Sequence, residues 1–378
     1  MVGSGRLHPY VQADSHYVIN PGYNTRSGDD VVLVIRPGAE LDLPSDKLDL
    51  KGHGELEYQR YLGLNNKITQ DYSTLAGQLG LNSIINKQGA LVLNLHETLV
   101  RSADPGQIQP GVRLRHTTND VGAGADFRPG GGALIFTGQY SFFIDRYDRT
   151  DNASSDPKNL DNTRHMPGVR VAWKFLPKTA VFAEATGLIT RFPNAGTAAD
   201  SNLVLAYLGA SGNITPRISA LLKAGYGNTL ISGSDNFNSF VGQAEFNYAF
   251  TETTGFRVGV LRTAQPTSLL KYFALNRMYA GVRQAFGARI QAELNVGYDY
   301  LQFGSPTENL PAQNNRTDND LVAEANINYQ VTDWFNVALA NRFDKRTSSA
   351  ENIDDTGTPN QSIDYHHNDT FLRLTARY

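Results

Sequence analysis

The sequence contains no cysteine among its 378 residues. That absence excludes a disulfide scaffold, a thiol nucleophile, an iron–sulfur cluster and a zinc site built on thiolates. Long apolar runs are also missing, because the longest purely aliphatic stretch covers only residues 31–35, whereas a membrane-spanning helix needs about 20 residues. The sequence therefore predicts no transmembrane helix. A transmembrane β-barrel is still allowed, since its strands alternate apolar with polar residues.

The chain also has little net charge. Its 34 Lys and Arg residues nearly balance 37 Asp and Glu residues, for a net charge of −3. Because the two signs are scattered along the chain, nothing indicates a nucleic-acid partner. The first residues lack the charged start and apolar core of a secretion signal. We interpret residues 1–6 as a flexible, artificial start ahead of a mature chain.

Two-residue alternation is the dominant pattern in the sequence. In residues 289–300, Ile, Ala, Leu, Val and Tyr occupy every second position and the positions between them are mostly polar; residues 240–250 and 321–331 follow the same pattern. Helical spacing would mix the two sets on every side, so the pattern predicts strands and no sustained helix. The runs last about ten residues or more, which is what a tilted strand needs to cross a bilayer.

Short and long connections alternate between these predicted strands. The short ones are rich in the Gly, Pro, Asn and Asp that tight turns require, and they lie at 44–46, 86–88, 129–132, 177–178, 215–216, 251–253, 287–288 and 332–333. The long ones are polar and lie at 20–30, 62–71, 102–110, 149–164, 192–201, 228–236, 263–271, 304–318 and 347–367. This alternation is typical of bacterial outer-membrane barrels.

The predicted fold is therefore all-β: a closed antiparallel transmembrane β-barrel of about 18 strands in the bacterial outer membrane, with both termini periplasmic. We expect residues 7–378 to form this single barrel. The last strand alternates up to a terminal aromatic, Tyr378, where such barrels usually end on Phe or Trp. A soluble all-β protein is the alternative, but the sequence shows neither a fixed internal period nor a linker.

Aromatic residues lie toward the ends of the predicted strands, where a girdle at the membrane interface would place them. Ordinary enrichment of aromatic residues in sheets is the alternative explanation. The residues are Tyr58, Tyr61, Tyr140, Phe142, Trp173, Phe175, Tyr226, Phe250, Tyr298, Tyr300, Trp334 and Phe335.

The inward face of such a barrel should line water and carry the function, because a barrel of this size is too wide for its side chains to fill. Our lumen-facing candidates are Arg170, Lys174, Lys223, Glu245, Arg257, Arg277, Arg283, Arg289, Glu293, Glu324, Arg373 and Arg377. The basic residues could form a track that attracts anions. Alternatively, the charges could pair across strands into a neutral network that stiffens the wall, and the balanced total charge favours this network.

Signals of catalysis or metal binding are weak. His366 and His367 could bind a metal, but we place them in the longest loop, and adjacent residues of a strand point in opposite directions. The segments 318–320 and 354–355 are rich in Asp but lack the spacing of a calcium loop, so we interpret them as solvated loop residues. No Ser, His and Asp combine into a credible triad. We predict no enzyme, no cofactor and no metal.

The beginning of the chain resembles a family of outer-membrane β-barrel porins associated with capsule and exopolysaccharide export. The resemblance lies in His8-Pro9-Tyr10-Val11-Gln12-Ala13 with Tyr17 and Asn20, followed by Val32-Leu33-Val34-Ile35-Arg36-Pro37-Gly38-Ala39-Glu40-Leu41. It implies a water-filled conduit that exports a polysaccharide passively, surrounded by outer-membrane lipids and working with periplasmic and inner-membrane polymer-export proteins. It implies no catalytic residue.

A general or solute-specific diffusion porin for small molecules is the alternative function. Under either function, the long loops at 149–164 and 347–367 are expected to fold over the mouth and gate it. Inward aromatic side chains could stack on sugar rings or simply narrow the passage. These aromatic residues are Phe143, Phe182, Tyr279 and Phe371.

Overall fold

Long antiparallel strands follow one another along the chain in the computed structural model, which describes residues 5–23, 28–64, 67–103, 114–148, 157–194, 200–229, 237–267, 272–304, 316–353, 359–362 and 364–378. The first nine strands are β1 (Arg6–Ile19), β2 (Asp29–Leu43), β3 (Leu48–Tyr61), β4 (Thr74–Ile85), β5 (Leu91–Ser102), β6 (His116–Phe127), β7 (Leu134–Tyr147), β8 (Asn162–Leu176) and β9 (Thr179–Arg191). The next eight are β10 (Ser201–Thr215), β11 (Ile218–Thr229), β12 (Asn238–Ala249), β13 (Thr254–Pro266), β14 (Tyr272–Phe286), β15 (Ile290–Phe303), β16 (Thr317–Gln330) and β17 (Phe335–Ser348). Two short strands, β18 (Glu351–Ile353) and β19 (Pro359–Ser362), pair with each other, and β20 (Tyr365–Arg377) is the last.

The sheet formed by β1 to β17 and β20 is closed. Each of these strands pairs with the next along the chain, and β20 pairs with β17 on one side and with β1 on the other. This 18-stranded sheet confirms the predicted antiparallel barrel. With ordinary strand spacing and tilt, a barrel of this size measures about 35 Å across between backbones. Closure also removes the free edges that would otherwise recruit other chains.

Alternation along each strand separates an apolar outer face from a polar inner face. On β15, Leu294 and Tyr298 are 49% and 40% exposed, whereas Asp299 is only 4% exposed. Exposed Leu, Val, Ile and Phe side chains recur on the same face of the other strands. A continuous apolar exterior of this kind suits hydrocarbon rather than water.

Short turns gather at one end of the barrel and long connections at the other, as predicted. Arg6 pairs with Asp42 beside the short turn 44–47, and β20 ends at Arg377, so the first strand begins and the last strand ends at the short-turn end. The helical segments of the described residues are short 3₁₀ turns at Lys67–Tyr72, Pro129–Gly131 and Pro157–Leu160. Across the described ranges, no helix has the length and hydrophobicity needed to span a membrane.

Several strands extend further than the sequence predicts at the end with the long connections. β16 begins at Thr317, so Asp318 and Asp320 belong to a strand rather than to a solvated loop. β20 begins at Tyr365, so His366 and His367 also lie in a strand, where His366 is exposed and His367 is buried. Local composition suggested loops, but pairing with β17 extends both strands.

Two smaller expectations also differ from the structure. Tyr61 is 5% exposed and packs against Tyr72 of the following connection, so it does not belong to an exposed girdle; Trp173 and Trp334 are exposed as expected. The first strand begins at Arg6 rather than at residue 7. Residues 1–4 and the acidic pair at 354–355 lie outside the described residues.

Candidate functional site

The inner wall of the barrel holds most of the lumen candidates. All of them lie on strands, on the face opposite the exposed apolar side chains, except Arg289, which lies in the turn between β14 and β15. Lys174 and Arg283 lie near the short-turn end and are exposed. Neither these two residues nor Arg289 forms an ion pair with any described residue.

Ion pairs connect many of the remaining candidates across neighbouring strands. Each basic side chain in these pairs contacts a carboxylate on the same face of the barrel. This arrangement agrees better with the predicted network of cross-strand pairs than with a track of unpaired basic residues. The pairs are Lys223–Glu184 at 2.7 Å, Arg170–Glu184 at 3.6 Å, Arg277–Asp299 at 2.5 Å, Arg342–Glu324 at 2.6 Å, Arg373–Asp14 at 2.8 Å and Arg377–Glu40 at 2.9 Å.

The two members of several pairs differ in how far they reach from the wall. The Arg277 side chain is 40% exposed while Asp299 is 6% exposed, and Arg373 is 31% exposed while Asp14 is fully enclosed. The pair of Arg170 with Glu184 shows the same order, with 39% against 17%. In these pairs the carboxylate lies against the wall and the guanidinium lies above it. The accessible surface there is therefore more basic than the sum of the charges suggests.

Aromatic side chains support several of these cations. Arg170 lies 3.8 Å from the centre of the Phe182 ring, and Arg257 lies 5.8 Å from that of Tyr279. Phe143 and Phe371 have Arg164 and Arg373 over their rings, at 3.8 and 5.0 Å. Such contacts stabilise a cation over the electron-rich face of a ring. The inward aromatics that sequence analysis proposed for sugar stacking are thus already in contact with cations.

Inward-facing glycines allow an aromatic side chain to cross a neighbouring strand. Tyr279 of β14 crosses Gly259 of β13, and its hydroxyl donates to Glu245 of β12 at 2.5 Å. A Cβ on Gly259 would overlap the Tyr279 ring. Tyr10 crosses Gly38 in the same way and donates to Glu55 at 2.8 Å. These bridges connect strands that do not pair directly.

The seam where β20 meets β1 is closed by a buried carboxylate, Asp14. Arg373 donates to both Asp14 oxygens at 3.0 and 2.8 Å, and Arg36 of β2 also donates to Asp14. His16 lies within hydrogen-bonding distance of Asp369, at 2.9 Å, and stacks on Phe371. This cluster joins the first, second and last strands on the inner face.

A cavity of about 830 Å³ lies against the inner wall between β12 and β20. Charged and tyrosine side chains dominate its lining, which includes Glu245, Arg257, Arg277, Tyr279, Asp299, Asp320, Glu324, Arg342, Asp344, Arg346, Tyr365 and Asp369. Several of the sequence-predicted lumen residues are therefore brought together here. Over the described part of the chain, no group of three or more His, Asp or Glu residues is arranged to hold a metal ion.

Sequence analysis missed several members of this site, above all Asp320, Arg342 and Asp344. The Asp-Asn-Asp context of residues 318–320 predicts a loop, whereas Asp320 lies in β16. The alternation in 321–331 contained the missing signal: extending it by one position toward the N-terminus places Asp320 on the same face as Glu324. No comparable signal identified Asp14 as the closing residue, because its partner Arg373 is 359 positions away.

A closed barrel with an apolar exterior, a polar inner wall and long connections at one end defines a bacterial outer-membrane porin-like protein. A family model described as "Putative beta-barrel porin 2" matches residues 1–360, and the chain belongs to this family. No curated protein matches the sequence.

Solved outer-membrane proteins are similar to this chain at low sequence identity. Pseudomonas aeruginosa OccK2 (OpdF), whose structure is a complex with glucuronate, is 9% identical with a TM-score of 0.52, and the match covers 99% of this chain and 98% of that chain. The outer membrane protein opdK of Pseudomonas aeruginosa is 11% identical with a TM-score of 0.49, with 99% of each chain covered. Acinetobacter baumannii OccAB3 is 10% identical with a TM-score of 0.49, again with 99% of each chain covered.

Proposed function

We propose that this barrel is a diffusion porin that favours small solutes carrying a carboxylate, with its short turns and both termini in the periplasm. The observation that carries the proposal is the layering of charge on the inner wall, where the guanidinium groups of Arg170 and Arg277 are more exposed than the carboxylates with which they pair. A solute near this wall meets the cation first. The planar guanidinium also matches a carboxylate through paired hydrogen bonds.

Export of a polysaccharide, which the resemblance implied, has less support from the inner wall. A sugar track needs open ring faces, but Phe182 and Phe371 already have Arg170 and Arg373 over their rings. These aromatics support cations instead. The carboxylate-bearing glucuronate found with OccK2 suggests a suitable probe, although the likeness to that protein concerns the fold alone.

Ion selectivity in planar lipid bilayers tests the proposal. Under a KCl gradient, we expect the wild-type pore to prefer chloride, and glucuronate to reduce its current. Replacing Arg170, Arg277 and Arg342 together by Gln should lower the chloride preference several-fold, because the accessible cations are removed while an amide donor stays near each carboxylate.

A matched control is Arg101→Gln. Arg101 pairs with Asp148 at 2.5 Å but lies on the outer face of β5, together with Leu95. This variant should leave the reversal potential unchanged. A wild-type pore that prefers potassium would contradict the proposal. A current that glucuronate leaves unchanged but a long glycan reduces would favour a polysaccharide conduit instead.

A further inference from the structure

A hollow interrupts the charged inner wall between β14 and β17. Small residues on the central strands create it, because one row of paired residues runs Tyr279, Gly297, Val322 and Asp344. The neighbouring row toward the long connections runs Arg277, Asp299, Asp320 and Arg346, and the row toward the short turns runs Gly281, Asn295, Glu324 and Arg342. A Cβ placed on Gly297 would meet no atom within 4 Å, so open space lies directly above this residue.

One carboxylate beside this hollow lacks a donor. Asp320 is 7% exposed, and its Oδ1 has no hydrogen-bond partner among the described residues. The carboxylates on either side are engaged, since Asp299 accepts from Arg277 at 2.6 Å and Asp344 accepts from the Tyr365 hydroxyl at 3.2 Å. A buried carboxylate oxygen without a donor is costly, so the site is suited to a bound group that donates hydrogen bonds.

Exposed guanidinium groups frame the same hollow. Arg277 lies in the row on one side of Gly297, and Arg342 lies in the row on the other side. Their side chains are 40% and 46% exposed, and both line the 830 Å³ cavity that also contains Asp320. Because Asp320 itself lines the cavity, a single solute that occupies it can meet the Asp320 carboxylate and a guanidinium at the same time.

We propose that the hollow over Gly297 binds zwitterionic solutes of the amino-acid type, with the ammonium donating to Asp320 and the carboxylate accepting from Arg277 or Arg342. This inference rests on the proposed solute-porin function and specifies its substrate class. An ammonium near Asp320 would also reduce the electrostatic repulsion among the carboxylates of Asp299, Asp320 and Asp344. An anion without an amine could use the guanidinium groups but would leave the Asp320 oxygen without a donor.

A proton is the competing occupant. Asp320 and Asp344 lie close enough on the inner wall to share a proton, and two carboxyl groups can form a hydrogen bond only in that state. The variant Asp320→Asn separates the two cases, because its amide donates to Asp344 and no longer needs either a proton or an ammonium. The variant Gly297→Val fills the hollow without changing any charge, and a β-branched residue suits a strand.

The test is block of single-channel current by three small probes of similar size: alanine, which is zwitterionic, lactate, which is anionic, and alaninamide, which is cationic. Alanine should block the wild-type channel at the lowest concentration. Both variants should raise the half-blocking concentration of alanine about tenfold, the loss expected when one charge-assisted contact disappears. The concentration for lactate should change little in Asp320→Asn.

Matched controls lie on the inner face of β6, away from this cavity. Asp120 has a buried Oδ1 without a hydrogen-bond partner among the described residues, with His96 Nε2 3.6 Å away, and a Cβ on Gly124 would have its nearest atom at 3.6 Å. Asp120→Asn and Gly124→Val should leave block by alanine unchanged. Unchanged alanine block in Asp320→Asn and Gly297→Val, or an equal change for all three probes, would overturn the inference. A wild-type pore that shows no preference for chloride would instead contradict the proposed function.

Discussion

The seam of the barrel and the wall of the cavity both pair Arg with a carboxylate, but in two different ways. At the seam, the Asp14 side chain is fully enclosed and forms ion pairs with Arg36 on one side and Arg373 on the other. On the cavity wall, Arg277 and Arg342 also pair with carboxylates but stay 40% and 46% exposed. A buried ion pair is costly to break, whereas an exposed pair contributes little stability. The seam therefore holds strands together, while the wall presents charge to solutes.

The largest effect is expected from Asp14→Ala at the seam. The substitution leaves the Arg36 and Arg373 guanidinium groups without their common acceptor, so the free energy of unfolding should fall by about 3–5 kcal/mol. Heat-dependent mobility of the folded barrel in SDS gels measures this change. The control Glu40→Ala breaks the Arg377 pair, whose members are 50% and 44% exposed, and should cost at most about 1 kcal/mol. Equal losses in both variants would mean that burial does not separate the seam from the exposed pairs.

An intermediate effect is expected from Gly259→Ala, next to the cavity. The added methyl overlaps the Tyr279 ring, which must then leave its position over the strand and lose its bond to Glu245. Overpacking of this kind costs about 1–3 kcal/mol, measured by the same gel assay. Gly297→Ala is the control, because its methyl enters open space. Similar unfolding temperatures for the two variants would show that Tyr279 is not held in place by Gly259.

The smallest effect on stability is expected from salt. At about 1 M KCl the screening length falls to about 3 Å, so the exposed guanidinium groups should lose most of their influence on ions. The chloride preference should therefore fade, while the stability difference between wild type and Asp14→Ala should persist, because the seam is buried. Reversal potentials and gel shifts at low and high salt test this together. If high salt reduced the stability difference between wild type and Asp14→Ala as strongly as it reduced the chloride preference, the comparison between the buried seam and the exposed wall would be wrong.

Sequence analysis predicted much of the fold, because alternation is a local property that each strand carries by itself. Residues 289–300 form β15 with nearly the predicted bounds, and their two faces point as the pattern indicated. The errors occur where local composition favoured a loop. Asp318 is the clearest example, since it is enclosed by Arg316 and Arg346, and only pairing with β17 brings Arg346 beside it.

The sequence predicted which residues share the inner face of the barrel, but it did not predict which of them form ion pairs. Arg277, Glu324 and Arg373 lie on the inner wall, and the partners of Glu324 and Arg373 are Arg342 and Asp14, which the sequence pattern did not indicate. Pairing depends on which strand becomes the neighbour and in what register. For Asp14 and Arg373 this required closure of the whole barrel.

The order of apolar and polar residues determined the strands, their two faces and the membrane environment, since a period of two holds wherever the strand is placed. Only the tertiary structure decided which carboxylates are buried beneath cations, where Gly297 leaves a hollow, and how Asp320 comes to lie beside it. Those features arise between strands that are distant in sequence, so no local pattern contains them.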